Sequence, residues 1–591
     1  MDGRNVRMRP NGPASAEPMA TGPGATEPMA TEPGAAEPSA GKPGATKPRP
    51  GGRYTAALLW VVPLVFFAVF FAWPVVNLLD TALRSDTGGW DLSQFADTLS
   101  NPRILEVIWF TVWQAAVSTV LTLVVALPGA WVLGHYRFPG RSGVEVLSVV
   151  AFVMPTVVVA TAIGAALADD GPLGWLLPPD SGRGLSAIFA AHVYLNIAVV
   201  LRMVGSFWSQ LDPRLPDAAA ALGASPGKVL WHVTRPALAP VIWAASSIVF
   251  LFTLTSFGIV LLLGDFGQAT VEVEIQRRVL FLFDLPTGAV LSVVQIAMVL
   301  TALVVQSKLS NRAAAEQDLT VDRTLPRPRT PGARLAVGTF LIVYLTMLLG
   351  PVLLVLERAL RTAGGHGPDN FVSLGSSRAG SVLFVAPAEA VANSVVFAVA
   401  ATIIATIVGL LVALALARRR ESLRDSVWLL PLGVSAVTLG FGMLITFDGP
   451  PLPLRGTAAL VPIAQALVAI PFVVRALLPV LRSIRGSIHE SAAVLGASPL
   501  RTVWSIDLPI VARALAVAIG FSLAISLGEF GATVFLAPGD RPTVPIAIYR
   551  FLATPGQANV GQAMALSSIL ILLTAVAVLL TDRLRVGGRH V

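Results

Sequence analysis

Asp217-Ala218-Ala219-Ala220-Ala221-Leu222-Gly223-Ala224-Ser225-Pro226 returns 273 residues later as Glu490-Ser491-Ala492-Ala493-Val494-Leu495-Gly496-Ala497-Ser498-Pro499. The register runs without a gap to Trp231/Trp504 and Pro236/Pro509, with nine identities in the twenty positions from 217 to 236. It reaches back to Arg202/Arg475 and forward to Phe257-Gly258/Phe530-Gly531 and Gly288/Gly561. Each copy is a short, polar, acid-led segment between long apolar runs. The chain is therefore a tandem duplication, and a polar loop present twice inside a hydrophobic protein reads as a surface to be touched.

The surroundings of the two loops are set by composition. Of 591 residues, 54% are hydrophobic and 13% charged, with a mean hydropathy of +0.73, so much of the chain has lipid as its solvent. Runs long enough to cross a hydrocarbon core of about 30 Å lie near 55–79, 105–134, 144–168, 185–208, 237–263 and 287–307. A second set lies near 334–357, 391–417, 424–447, 457–481, 510–537 and 562–582. The runs are continuous rather than alternating, which excludes barrel strands. Each spanning backbone must satisfy its own hydrogen bonds, so the spans are helices. The expectation is an all-α membrane protein of about twelve transmembrane helices in two tandem six-helix halves. Both loops fall between helices four and five, so the halves should be parallel and related by a pseudo-two-fold axis along the membrane normal.

Orientation follows from the basic residues. With the N-terminus inside, the inside segments hold 29 of the 42 Lys and Arg, including Arg418-Arg419-Arg420 and Arg323, Arg327, Arg329 and Arg334. This is the positive-inside pattern, and it places both loops and both termini in the cytoplasm. It also accounts for the net charge of +8 without a nucleic-acid partner. Residues 1–52, rich in Pro, Ala, Gly and Glu, cannot build a core and should be disordered. They lack the apolar core of a signal peptide. Residues 308–333 read as a linker between the halves 53–307 and 334–583, and 584–591 as a short cytoplasmic tail. Cysteine is absent, which excludes disulfides and thiolate metal sites.

The loop itself has a readable local structure. Pro213 and Pro216 break the preceding helix. Asp217 then leads a run of alanines, strong helix formers, with its charge at the positive end of the helix dipole. Gly223 should end that helix, Ser225-Pro226 should cap and start a second, and Pro236 should end that one, with Trp231 on it. The second copy repeats the pattern from Glu490 through Gly496, Ser498-Pro499, Trp504 and Pro509. Two short helices at an angle with small residues on one face suit a groove in a cytoplasmic partner. A partnerless interfacial helix pair is the plainer alternative, and it gives no reason for duplication at fixed register.

This pattern of acid-Ala-Ala, three residues, then Gly resembles the EAA loop of ABC importer permeases, and the match covers both halves. The resemblance implies that the loops couple to a separate cytoplasmic ABC ATPase, in two copies, and that an external solute-binding protein delivers the solute. Asp217, Ala218, Ala219, Gly223, Ser225 and Pro226 would couple in the first copy, with Glu490, Ser491, Ala492, Gly496, Ser498 and Pro499 in the second. The first copy departs from the family in having Asp for Glu and Arg235-Pro236 for Leu-Pro, so it is expected to couple less tightly. The stretch Gly223-Ala224-Ser225-Pro226-Gly227-Lys228-Val229 imitates a phosphate-binding loop. Its glycines are one residue too close, and Val229 replaces the Ser/Thr that would hold magnesium. The chain thus binds no cofactor itself; ATP and magnesium belong to the partner ATPase, and no catalytic residue is expected. The setting is a bacterial cytoplasmic membrane.

Polar residues inside spans are expensive and mark pathways or helix contacts. The fifth helix of each half carries Thr255, Ser256 and Phe257, and Ser526, Glu529, Phe530 and Thr533. These are candidates for the translocation pathway. Glu529 reads either as a contact for a cationic solute or as a helix-end carboxylate bonded to neighbouring hydroxyls. His192 and Asn196 lie one turn apart, too few groups for a metal site. Gln114, Gln295, Asn393 and Gln465 read as interhelical hydrogen-bond donors. Two halves fused in one chain, with Thr255-Ser256-Phe257-Gly258, the 268–275 stretch and the 541–549 stretch, resemble thiamine and ferric-iron importer permeases. The implied solute is thiamine, then ferric iron, then an oxyanion such as molybdate or sulfate. An ion-coupled secondary transporter also fits twelve helices in two halves, but it leaves the two loops unexplained. A membrane enzyme would need ionisable groups clustered at one depth, and they are scattered.

Overall fold

The computed structural model describes residues 60–586 apart from 85–88, 177, 179–181, 213, 316–324, 363, 378–381 and 419–433. The expected tail at 1–52, residues 316–324 of the expected linker and the last five residues lie outside these. The described chain is helical, with one two-stranded hairpin pairing Arg361–Thr362 with Gly365–His366.

Among the described residues, ten helices are long and apolar enough to cross a membrane. In the first half these are Trp60–Leu83, Pro102–His135, Leu185–Gln210, Pro226–Leu254 and Leu285–Ser310. In the second they are Pro331–Leu360, Pro387–Ala417, Leu460–Ser483, Pro499–Gly528 and Gln557–Leu579. Several open on the same local signal, a capping side chain followed by proline at the first helical position. Asn101 accepts from the Arg103 N–H ahead of Pro102, and Thr330 accepts from the Ala333 N–H ahead of Pro331.

Two expectations need correction. The third span of the first half is not one straight helix: Arg141–Val153 and Thr156–Leu167 meet at a 101° bend. Pro155 causes the break, because it cannot donate to the helical ladder and pushes Met154 into an extended conformation. Residues 424–433 of the expected span 424–447 lie outside the described residues; Ala436–Thr446 is helix, capped by Ser435 onto the Thr438 N–H. The sixth helix also runs past the expected boundary at 307, to Ala315.

Within each half the second and fourth spans form the most extensive helix pair. Small residues let them approach closely: a Cβ at Gly129 would lie 2.7 Å from Leu201, and one at Gly409 2.7 Å from Val473. The first spans cross to the opposite half. In Trp60–Leu83, Phe70 and Trp73 pack on Phe447, and the Asn77 amide donates to Thr446 at 3.2 Å. Reciprocally, on Pro331–Leu360, Tyr344 shares a 2.6 Å hydrogen bond with Ser148, and the Leu348 carbonyl accepts from the Tyr194 hydroxyl at 3.0 Å. Each half therefore grips its partner through its leading helix.

Candidate coupling elbows and gate

The first elbow opens with Arg214–Ala221, which carries Asp217 in its first turn. The Gly223 N–H bonds the Ala220 carbonyl, and the Ala224 N–H bonds the Ala219 carbonyl. This pair of bonds closes a Schellman motif around Gly223 at φ +87°. In the second elbow Gly486–Val494 ends the same way, with Gly496 bonding Ala493, Ala497 bonding Ala492, and Gly496 at φ +79°. A left-handed residue is needed at each turn, and only glycine adopts it without steric cost. The second helix opens four residues before Glu490, so Glu490 lies beyond its first turn rather than at its head, because Arg485 supplies the extended residue from which the helix starts.

The carboxylates of Asp217 and Glu490 face solvent. Between them the elbows expose Leu222, Val494 and Leu495, each at least 86% accessible. These exposed apolar side chains at a tight polar turn make each elbow a candidate docking surface.

Pro236 and Pro509 do not end the second helix of either elbow, contrary to the sequence expectation. The helix begun at Pro226 continues to Leu254 and that begun at Pro499 continues to Gly528, 29 and 30 residues each. The proline is absorbed by a π-turn immediately before it. Leu230–Thr234 closes with the Arg235 N–H on the Leu230 carbonyl, and Val503–Asp507 with the Leu508 N–H on the Val503 carbonyl. Proline has no N–H and its ring clashes with the carbonyl four residues back; stepping the ladder to five residues just ahead of it relieves both. Ala68–Ala72 does the same before Pro74. Each elbow is thus the end of a rod roughly 44 Å long.

At the other end of each rod the helix breaks. Phe257 and Phe530, equivalent in the duplication, stack with ring centres 5.3 Å apart and planes at 27°. Tyr549 packs on Phe530 at 5.7 Å. Gly258 and Gly531 pass so close to the start of each third-span helix that a Cβ would lie 2.7 Å from the Thr156 hydroxyl oxygen and 3.0 Å from Ala436 Cβ, respectively. The pathway candidates Ser256, Phe257, Glu529, Phe530 and Thr533 therefore gather at one break in each half. Thr255 bonds the Leu251 carbonyl of its own helix at 3.1 Å. The Ser526 hydroxyl is buried one turn below the break and has no partner among the described residues.

The two breaks are braced differently. In the first half Ser256 shares a 2.8 Å hydrogen bond with His192 Nε2, and His192 Nδ1 shares another of 2.8 Å with Ser118. Thr270 donates to the Ser256 carbonyl at 3.1 Å, and the Asn196 amide to the His192 carbonyl at 2.9 Å. In the second half Glu529 stands in place of Ser256 and accepts from the Ala532 N–H at 2.7 Å, the Thr533 N–H at 3.1 Å and the Thr533 hydroxyl. Both oxygens are engaged by its own loop, which is the geometry of a helix-end carboxylate. No group of three His, Asp or Glu among the described residues could hold a metal.

The other polar candidates divide. Gln114 donates to the Thr253 carbonyl at 2.9 Å, Gln295 to Glu272 at 3.1 Å and Asn393 to the Pro542 carbonyl at 3.3 Å. The Gln465 amide oxygen has no partner among the described residues. A cavity of about 1360 Å³ is lined by Arg141, Arg202 and Gln210 near the first elbow and by Leu579 of the last helix. Sequence reasoning missed three features of this region: the two π-turns, the crossing of the first spans, and a contact of Asp507 with His489 and Arg418. Only the prolines after each loop signalled the first.

The family described as binding-protein-dependent transport system inner membrane component matches twice, over residues 126–313 and 405–586. The thiamine transport system permease protein ThiP of Brucella suis biovar 1 is 27% identical over 519 residues, covering 86% of this chain and 92% of that protein. The protein of the same description from Salmonella typhimurium is 26% identical over 554 residues, covering 90% and 97%. The probable ABC transporter permease protein y4fN of Sinorhizobium fredii is 26% identical over 519 residues, covering 82% and 88%.

Proposed function

This chain belongs to the binding-protein-dependent transport system inner membrane components, and we propose that it supplies the whole membrane pathway of an importer for thiamine. It is a multi-pass permease subunit of an ABC importer, working with an ATPase and a solute-binding protein. Two copies of the ATPase would dock, one on each elbow, since the surface is present twice. The basic bias of the loops puts the elbows and both termini in the cytoplasm, and the Phe257–Phe530 stack then lies toward the outer side.

The observation that carries the reading is the continuous helix from each elbow to the stacked pair. A docking surface and a closed constriction at opposite ends of one rod let force applied at Gly223 or Gly496 reach Phe257 or Phe530 without passing through a loop. ATP and magnesium act on the ATPase; the Gly223–Val229 stretch is a helix–turn–helix corner and is no phosphate cradle. Thiamine over ferric iron is supported by the named relatives and by the lining. A planar cation passing Phe257, Phe530 and Tyr549 gains cation–π contact, whereas a bare ferric ion would meet no carboxylate free of its own loop at this break.

The test is ATP-driven uptake of labelled thiamine and of labelled ferric iron in cells with and without this chain. Thiamine uptake should disappear with the chain and return with the ATPase and chain together. Loss of iron uptake alone overturns the thiamine assignment, and gradient-driven uptake by the purified chain without an ATPase overturns the importer.

A further inference from the structure

The two elbows share a backbone but not an anchorage. Asp507 closes the π-turn of the second elbow, and its side chain is 3% exposed. Its Oδ1 lies 2.8 Å from His489 Nε2, on the helix that carries Glu490. Its Oδ2 lies 3.7 Å from the guanidinium of Arg418, which caps the end of the membrane helix Pro387–Ala417. One buried carboxylate thus holds the elbow helix, the rod and the second span of the same half together.

The first elbow cannot make this tie. In the duplication Thr234 stands for Asp507 and Pro216 for His489, so neither the acid nor the ring donor is present. The second span of that half ends at His135, with Tyr136 where the other half has Arg418. What the first elbow has instead is local: Arg235 sits 4.1 Å above the Trp231 ring of its own helix, and Leu508 replaces that arginine in the second copy.

We propose that Asp507 is a positioning residue that locks the second elbow to the membrane bundle, so that the two elbows are mechanically unequal. The second moves as one body with its rod and second span, while the first turns on its own helix. Asp507 is buried whereas His489 and Arg418 are each more than a third exposed; removing either of them leaves a buried acid short of a partner, so the lock is broken most cleanly from the acid. The consequence for transport rests on the importer reading, but the anchorage itself does not.

Two measurements on the complex of this full chain with its ATPase in lipid nanodiscs separate them. Hydrogen exchange should be slower over 486–496 than over 214–223 in the wild type, by roughly tenfold or more. Asp507→Asn should abolish that difference while leaving 214–223 unchanged, and Asp507→Glu should restore part of it. In the same complex, the ATP consumed per thiamine moved should rise severalfold in Asp507→Asn. Equal exchange of the two elbows in the wild type overturns the proposal. So does an Asp507→Asn complex in which both elbows loosen alike, or one with unchanged exchange and stoichiometry. If Asp507→Asn does not assemble, His489→Gln removes the imidazole partner and reads the same comparison. A wild-type complex that moves no thiamine refutes the solute assignment, and the exchange comparison still decides the lock.

Discussion

Phe257 and Phe530 stand at equivalent positions of the two halves and meet face to face, 5.3 Å apart. Residues related by the duplication can touch only where the pseudo-two-fold axis passes between them. The stack therefore marks the axis itself. Everything else about the break serves to deliver these two rings: the rods end there, and Gly258 and Gly531 allow the close passage that a Cβ would forbid.

If the pair is the constriction, opening it should not need ATP once the rings are gone. The double variant Phe257→Ala with Phe530→Ala should leak labelled thiamine through proteoliposomes with no nucleotide present. The stacking lost is worth about 0.5–1.5 kcal/mol beyond the area buried, and each truncation of a buried Phe costs about 3–5 kcal/mol more, so the leak is read only from protein that elutes as a folded species. The chain has no cysteine, which permits the converse: Phe257→Cys with Phe530→Cys, bridged by a short bifunctional thiol reagent, should stop uptake. Unchanged uptake after bridging would show that the solute takes another route.

The elbow glycines offer a second test. At φ +87° and +79°, Gly223 and Gly496 have nothing within 4 Å of a Cβ, so substitution there is opposed by backbone conformation and not by a clash. A β-branched side chain in this region costs about 1–2 kcal/mol. Gly496→Val should insert in the membrane normally yet bind the ATPase more weakly, measured by co-purification, and Gly496→Asn should be milder. Asp217→Ala should impair ATPase stimulation less than Glu490→Ala, following the departures around the first copy. Full transport and full ATPase stimulation by Gly496→Val would remove the coupling role.

Much of this was legible in the sequence because duplication doubles the signal. A glycine seen once after alanines is a weak helix end; Gly223 and Gly496 at fixed register are a turn. Apolar runs gave the spans, since each must satisfy its own backbone in lipid. What escaped was whatever depends on two segments far apart in the chain. Nothing local says that Trp73 packs on Phe447 or that Arg418 approaches Asp507. Proline misled in the opposite sense. Pro236 and Pro509 are strong breakers by local chemistry, and the π-turn that accommodates them leaves no composition signal of its own. Glu529 was ambiguous for a different reason: whether a carboxylate meets solute or its own loop depends on where the N–H groups of Ala532 and Thr533 point.

That geometry predicts the outcome at Glu529. Its oxygens accept from two backbone N–H groups and a hydroxyl, so the carboxyl stabilises the turn after the rod. Glu529→Gln keeps one acceptor and should lower the thermal midpoint of the purified protein while leaving the preference for thiamine over neutral analogues intact. A selective loss of cation uptake at unchanged stability would instead place the solute against this residue.

The π-turns give the last test. An inserted π-turn adds one residue to the ladder and rotates everything before it by roughly 100° relative to a regular helix. Pro509→Ala restores the missing N–H and removes the ring clash, so the rod between Pro499 and Gly528 becomes free to close as an ordinary α-helix. The elbow would then present Val494 and Leu495 in a different direction. The expected result is a protein of equal or higher thermal stability, because a proline is lost from a helix interior, with solute-stimulated ATP hydrolysis reduced severalfold. Pro236→Ala should act in the same sense on the first elbow. Stability and function thereby move in opposite directions, which a proline serving only as a helix breaker would not produce. Retention of full stimulation with the helix regularised would mean that the π-turn is a packing accommodation with no part in coupling.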